Sequence, residues 1–211
     1  LGGEPIIVTF CPLCNSALAF ERTLNGVVHD FGVSGNLHNS DLIMWDRQTE
    51  SWWQQFTGEG IVGELAGAKL KFLPAAIISF ADFFLAHPDG SVLSRDTGFS
   101  RPYGQSPYVG YDRVDQPPFL FDTSVRALDG RLQPKERVAA FSIGDAAAAF
   151  PFSILNEERV VNHTVGGKDI VVFFKPGTKS ALDGLLIGDS NEIGASGVFE
   201  AVLDGANLTF R

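Results

Sequence analysis

The sequence predicts an all-β or β-dominated protein in which two pseudo-repeated antiparallel β halves form one body. Three observations predict this class. Short runs rich in β-branched and aromatic residues recur along the chain, Asn-Gly and Asp-Gly turn signals separate them, and helical periodicity is scarce. A composition of 45% hydrophobic and 19% charged residues fits one folded domain over residues 1–211 and argues against disorder.

The first elements are expected to be strands. Residues 6–10 read Ile-Ile-Val-Thr-Phe, which is typical of a strand, and residues 17–33 carry an Asn-Gly turn that predicts a hairpin. Side chains alternate across a strand, so four residues of this hairpin are expected to share one face. They are Val27, His29, Phe31 and Val33.

One short helix is expected near residues 79–87, because Ser79 can cap its start and Pro88 ends it. Residues 97–118 contain Gly, Pro and Tyr without periodicity, which predicts a long ordered loop. After the Gly144-Asp145 turn the alanine run is expected to be a strand, since Phe-Pro follows it at once.

The chain contains an internal repeat. LGGEPIIVTFCPLCNSAL, which begins at residue 1, aligns without gaps on VGGKDIVVFFKPGTKSAL, which begins at residue 165. Later matches extend the relation to residues 1–33 and 165–210, and they indicate a duplicated β unit with two similar halves. Residues 141–164 have no counterpart in the first copy, so we expect the N-terminal part of the first repeat to be missing.

Cys11 and Cys14 form a Cys-x-x-Cys motif and are the only cysteines. In the second copy of the repeat these positions are Lys175 and Thr178, which indicates that the backbone does not need the two thiols. The spacing suits a two-thiolate metal corner, a dithiol redox pair or a structural disulfide, and the sequence leaves these alternatives open.

Two other residues are candidate metal ligands. Met44 is the only methionine, and a thioether beside thiolates favours copper over zinc as the bound ion. His38 lies in a polar turn from which an imidazole can reach a metal. The alternatives are that Met44 fills the core and that His38 is a solvated loop residue.

A candidate pocket combines two polar segments. Asp46 and Arg47 precede two tryptophans, and a later loop supplies Arg101, Tyr103 and Tyr108, residue types that favour recognition surfaces. A turn held by Asp46 and a loop packed on the sheet are the structural alternatives. The sequence leaves open whether the protein is an enzyme. It predicts no nucleotide cofactor, because no helix pattern follows the glycines near residue 60.

The charge balance restricts the partners. Lys plus Arg number 16 and Asp plus Glu number 25, so the net charge is −9 and nucleic acid is not an expected partner. The chain contains no apolar run of the roughly 18 residues that a membrane-spanning helix requires.

The motifs resemble a known family. TFCPLCNSALAFER, FGVSGNLHNSDLIMWDRQTESWWQQFTGEGIVGELAG, HPDGSVLS, TGFSRPYGQSPYVGYD and RLQPKERV together are similar to the family called domain of unknown function 3179 (DUF3179). The resemblance implies an extracytoplasmic location, at the cell surface, in the periplasm or on a lipoprotein anchor. Cys11, Cys14, Met44, Asp46 and Arg47 fall on the family pattern, whereas His38 does not occupy a fixed family position.

These inferences predict an extracytoplasmic protein whose Cys-x-x-Cys site binds a soft metal ion, with copper favoured over zinc. The first alternative is a thiol–disulfide redox protein that uses the same two cysteines. The second is a non-catalytic subunit or scaffold, with a protein partner in a membrane-associated assembly and a structural disulfide.

Overall fold

The computed structural model of the chain describes all 211 residues and is dominated by antiparallel β-sheets, as predicted. The chain divides into two compact units. The first comprises Leu1–Ala76 and Gln116–Gly130, and the second comprises Ile77–Asp115 and Arg131–Arg211. Each of the two α-helices has seven residues, and neither is long and apolar enough to span a membrane.

The first unit contains three sheets, ordered β1-β2-β9, β3-β4 and β5-β6-β7-β8. Every strand in them pairs antiparallel with its neighbour. The strands are β1 (Ile6–Cys11), β2 (Ser16–Glu21), β3 (Thr23–Leu24), β4 (Val27–Val28), β5 (Phe31–His38), β6 (Asp41–Asp46), β7 (Trp52–Gln54), β8 (Glu59–Val62) and β9 (Phe72–Leu73).

The second unit contains both helices and three further sheets, ordered β10-β11, β12-β13-β14 and β15-β16. Its elements are α1 (Phe80–Ala86), β10 (Val138–Ile143), β11 (Ala146–Pro151), α2 (Phe152–Glu158), β12 (Val160–Val165), β13 (Lys168–Lys175), a 3-10 helix (Ile187–Asp189), β14 (Ala195–Glu200), β15 (Val202–Leu203) and β16 (Ala206–Asn207).

The helix predicted near residues 79–87 is confirmed as α1. The Ser79 hydroxyl accepts a hydrogen bond from the Asp82 amide at 3.0 Å, and the helix ends just before Pro88. The prediction of a single helix was wrong, because α2 follows directly after β11. The strand predicted for the alanine run is confirmed as β11, and its last residue, Pro151, is also the residue before α2, where a φ of −63° is compatible with the entry to a helix.

The prediction of one hairpin over residues 17–33 was also wrong, because the observed hairpin is much shorter. The Asn25-Gly26 turn joins only the two-residue strands β3 and β4, and the chain then enters β5, which pairs with β6. His29 lies between β4 and β5 and is buried, whereas Val33 is exposed. The proposed common face does not form, because β4 ends before His29 and β5 begins after it.

The two aligned blocks pair their strands in equivalent registers. β1 pairs with β2 from Ile6↔Glu21 to Cys11↔Ser16, and β13 pairs with β14 from Ile170↔Glu200 to Lys175↔Ala195. The small hairpins that follow also agree, since β3–β4 and β15–β16 each join two-residue strands through a two-residue turn. The glycine pairs before β1 and β13 all have positive φ.

Each unit has its own hydrophobic cluster. In the first unit the cluster is formed by Phe20, Met44, Trp53 and Leu70. In the second unit it comprises Ala139, Leu155, Val165, Ile170, Val172 and Phe174. Leu155 on α2 therefore packs against side chains of β13, and this contact buries one face of that strand.

Helix α2 provides a matched test of this packing. Leu155→Ala should lower the free energy of unfolding by about 2–5 kcal/mol, because it leaves a cavity where a side chain is only 1% exposed. Ile154→Ala, on the same helix but 53% exposed, should change it by less than about 1 kcal/mol. Urea unfolding followed by circular dichroism measures both, and an equal effect of the two substitutions would contradict the packing described.

Candidate metal or redox centre

The β1–β2 hairpin positions both cysteines. Cys11 is the last residue of β1 and lies opposite Ser16, the first residue of β2. Cys14 lies in the turn between them, where Asn15 adopts a positive φ of 49° and its amide donates to the Pro12 carbonyl at 3.3 Å. Asparagine tolerates this left-handed conformation, so the local sequence suits a turn that folds Cys14 back towards Cys11.

A second tight turn brings in Asp41. His38 and Asp41 are paired across β5 and β6, so Asn39 and Ser40 form a two-residue turn in which both have positive φ. Asp41 is the first residue of β6, and its carboxylate lies beside the β1–β2 hairpin. The Cys14 thiol donates to Asp41 Oδ1 at 3.4 Å and lies 3.5 Å from the Ser40 carbonyl oxygen.

Cys11, Cys14 and Asp41 form a compact group in which the two sulfurs and a carboxylate oxygen all lie within 4.8 Å of one another. Cys11 is 1% exposed and Asp41 is 3% exposed, whereas Cys14 lies at the surface. Both cysteines are free thiols. The group therefore has two buried members and one accessible sulfur.

The two thiols titrate as a linked pair. A hydrogen bond from the Cys14 thiol lowers the pKa of Cys11 from 9.0 to about 7, although burial acts in the opposite direction. The same hydrogen bond, together with burial and the nearby charge of Cys11 and Asp41, raises the pKa of Cys14. Near neutral pH the pair thus holds one thiolate stabilised by one thiol.

Asp41 is a buried acid without a basic partner. Its hydrogen-bond donors are the Cys14 thiol and the Phe56 amide, which is 2.9 Å from Oδ2, and it takes part in no ion pair. Buried charges in proteins are usually paired or coordinate a metal. The position next to two thiols therefore makes Asp41 a candidate ligand for a cation.

The structure places the other predicted metal ligands elsewhere. Met44 is buried in the cluster of Phe20, Trp53 and Leu70, which matches its alternative role as core filler. His38 lies opposite Asp41 in the strand ladder, but it is exposed and does not belong to the group of close side chains. Asp41 was missed because nothing in the sequence separates a carboxylate that follows a turn from an ordinary surface residue.

Asp46, assigned to the candidate pocket, is fully buried at the end of β6. Its carboxylate accepts hydrogen bonds from Trp53 Nε1 at 2.9 Å and from the Thr49 amide at 2.7 Å, and it lies 3.2 Å from His29 Nδ1. Burial raises the pKa of Asp46, but the hydrogen bonds from Trp53, Thr49 and His29 outweigh it and hold the pKa below the ordinary 3.8. This environment is that of a structural carboxylate.

The remaining members of the candidate pocket are surface residues. The Arg47 guanidinium lies over the Trp45 ring, 5.0 Å from its centroid. Arg101, Tyr103 and Tyr108 are exposed and belong to the second unit, whereas Asp46 and Arg47 belong to the first. A cavity of about 260 Å3 in the second unit is lined by other residues, among them Arg137, Glu136 and Phe174.

The fold and the site define a β-rich protein with a dithiol–carboxylate centre on adjoining hairpins. Comparison with protein families matches residues 1–208 to the family described as protein of unknown function (DUF3179). The chain belongs to this family, as its motifs indicated. No curated protein and no solved structure matches the chain.

Cys14→Ala should raise the pKa of Cys11 above its value of about 7, because the stabilising side-chain hydrogen bond is lost while the burial remains. Cys14→Ser, which keeps a donor, should raise it less. The pH dependence of thiolate absorbance in the ultraviolet measures both values. A Cys11 pKa that is unchanged in Cys14→Ala would show that the two thiols are not coupled.

Asp46 should make the protein sensitive to acid. Since folding lowers its pKa, the unfolded chain binds the proton more tightly, and the carboxylate stabilises the fold fully only above its ordinary pKa. Stability should fall as the pH drops below about 4. Asp46→Asn should cost about 2–3 kcal/mol at neutral pH and reduce this pH dependence, as measured by urea unfolding. Asp30→Asn, at an exposed carboxylate, is the matched control and should change little.

Proposed function

We propose that the protein binds a thiophilic metal ion through Cys11, Cys14 and Asp41. The observation that carries the proposal is the convergence of three donor atoms within 4.8 Å of one another. Two further observations support it. Asp41 is a buried carboxylate without a cation, and the lowered pKa of Cys11 supplies a thiolate near neutral pH.

The donor set favours zinc over copper. Zinc takes thiolate and carboxylate ligands together, whereas copper(I) prefers soft sulfur donors alone. The sequence favoured copper because Met44 offered a thioether, but Met44 packs in the hydrophobic cluster and Asp41 takes the third position. Cys11, Cys14 and Asp41 would hold a zinc ion as three protein donors, and a fourth ligand such as water would complete its usual four.

A thiol–disulfide redox role is the second candidate. It is favoured by a Cys11 pKa of about 7, which gives a substantial thiolate fraction. It ranks second because that thiolate is 1% exposed, whereas the accessible Cys14 has the raised pKa. In this role the two thiols lose two electrons and two protons to a disulfide substrate, which is released as two thiols. We also propose the extracytoplasmic location that the family resemblance implies, where an oxidising environment favours the disulfide form of the pair.

The metal proposal predicts equimolar zinc binding by the reduced chain. Asp41→Asn should weaken the zinc affinity at least about tenfold and Cys14→Ala should weaken it further, because each removes a donor. Competition with a chromophoric chelator measures the affinities of Zn2+, and a copper(I) chelator allows the same comparison for copper. Elemental analysis of protein purified without chelator gives the stoichiometry.

Two matched variants control this experiment. Asp30→Asn removes an exposed carboxylate of the same unit and should leave zinc binding unchanged. Met44→Leu conserves core volume and should also leave the affinities unchanged, whereas a loss of copper binding would restore Met44 as a ligand. If the reduced chain binds no metal yet exchanges disulfides with oxidised glutathione, the redox role replaces the metal role.

A further inference from the structure

Gln55 is a buried polar side chain that lies between the two hairpins of the dithiol–carboxylate centre. It is 0% exposed and follows the last residue of β7, in the turn that leads to β8. Burial of an amide is costly unless its donors and its acceptor find hydrogen-bond partners. The partners of Gln55 therefore identify the segments that it holds together, and they lie on β1, β2 and β6.

The side chain of Gln55 binds both strands of the β1–β2 hairpin. Its Nε2 donates to Thr9 Oγ1 at 3.0 Å and to the Ser16 carbonyl at 3.2 Å, and its Oε1 accepts from the Ser16 hydroxyl at 2.9 Å. Thr9 and Cys11 are two residues apart on the buried face of β1, and Ser16 lies opposite Cys11 in the ladder. These hydrogen bonds attach Gln55 to the part of the hairpin that carries Cys11.

The main chain at the same position is fixed to the start of β6. The Gln55 amide donates to the Leu42 carbonyl at 3.0 Å. The next amide, that of Phe56, donates to Asp41 Oδ2 at 2.9 Å. The backbone of this dipeptide therefore holds the Asp41 carboxylate, while the side chain of its first residue holds the hairpin of the two thiols.

We propose that Gln55 is a positioning residue that sets the distance between the Asp41 carboxylate and the thiols of Cys11 and Cys14. Its hydrogen bonds to two separate hairpins carry the assignment. The inference rests on the proposed metal function, since its main consequence is a donor set that is assembled before a metal ion binds. Side chains that orient the ligands of a metal site typically contribute about 10–100-fold to its affinity.

The same arrangement has a consequence for the metal-free chain. The hydrogen bond from the Cys14 thiol has the largest effect in lowering the pKa of Cys11, and a hydrogen bond from the Leu42 backbone acts in the same direction. Leu42 lies on β6, and its carbonyl accepts from the Gln55 amide. A change in the spacing of the two hairpins is therefore expected to raise the pKa of Cys11 even without metal.

Gln55→Leu tests the proposal, because leucine has a similar volume but forms none of the side-chain hydrogen bonds. The affinity for Zn2+ should fall at least about tenfold. The pKa of Cys11 in the metal-free chain should rise above about 7. Competition with a chromophoric chelator measures the affinity, and the pH dependence of thiolate absorbance measures the pKa. Wild-type values of both quantities in Gln55→Leu would overturn the proposal.

Asp46→Asn is the matched control. Asp46 is also a buried, hydrogen-bonded side chain of the first unit, but its partners Trp53, Thr49 and His29 lie outside the β1–β2 hairpin. This variant should lower the stability of the fold and leave both the zinc affinity and the Cys11 pKa unchanged. Equal changes in Asp46→Asn and Gln55→Leu would contradict the proposal, because general destabilisation would then account for them.

Ser16→Ala keeps the test decisive if Gln55→Leu does not fold. It removes only the hydroxyl that donates to Gln55 Oε1, so it should change both quantities in the same direction by smaller amounts, and unchanged values would refute the proposal.

The two measurements also separate this inference from the metal function. A wild-type chain that binds no zinc would contradict the metal function alone. The positioning role would still be supported by a Cys11 pKa that rises in Gln55→Leu and stays constant in Asp46→Asn.

Discussion

The tight turn at Asn39 and Ser40 is the constraint on which the site depends, because it places the Asp41 carboxylate at a buried position. Both residues adopt positive φ, and the turn directs Asp41 to the buried start of β6. A second turn, in the β1–β2 hairpin, brings Cys14 within hydrogen-bond distance of that carboxylate. Neither hairpin alone gathers the three donor groups. The chemistry arises where two short-range structures meet.

The contact between Cys11 and Cys14 explains why the thiols behave as a pair. The hydrogen bond between them lowers the pKa of Cys11 and raises that of Cys14, so the proton stays on Cys14, and the Asp41 carboxylate lies beside the same two sulfurs. A metal cation and a disulfide are two different ways to reduce the negative charge at this site. A cation neutralises the charges, and oxidation to a disulfide removes the thiolate. Both proposed functions therefore follow from one electrostatic situation.

Sequence patterns were sufficient for the β-dominated class and for α1, and they drew attention to Cys11 and Cys14, which the structure places close together. They could not predict Asp41 as a partner, because its contact with Cys14 joins residues 27 positions apart on separate hairpins. They also missed α2, whose start at Pro151 looked like a barrier to helix, and they allowed Met44 two roles. In each case the deciding factor was tertiary packing, which local propensity does not contain.

The tryptophans of the chain, Trp45, Trp52 and Trp53, all lie on β6 and β7. Trp53 donates to the buried Asp46 carboxylate, and the Trp45 ring faces a guanidinium. Intrinsic indole emission therefore reports only on the first unit, and the second unit is silent at those wavelengths. Asp41 begins the same strand that carries Trp45, so indole emission comes entirely from the unit that also holds the two thiols.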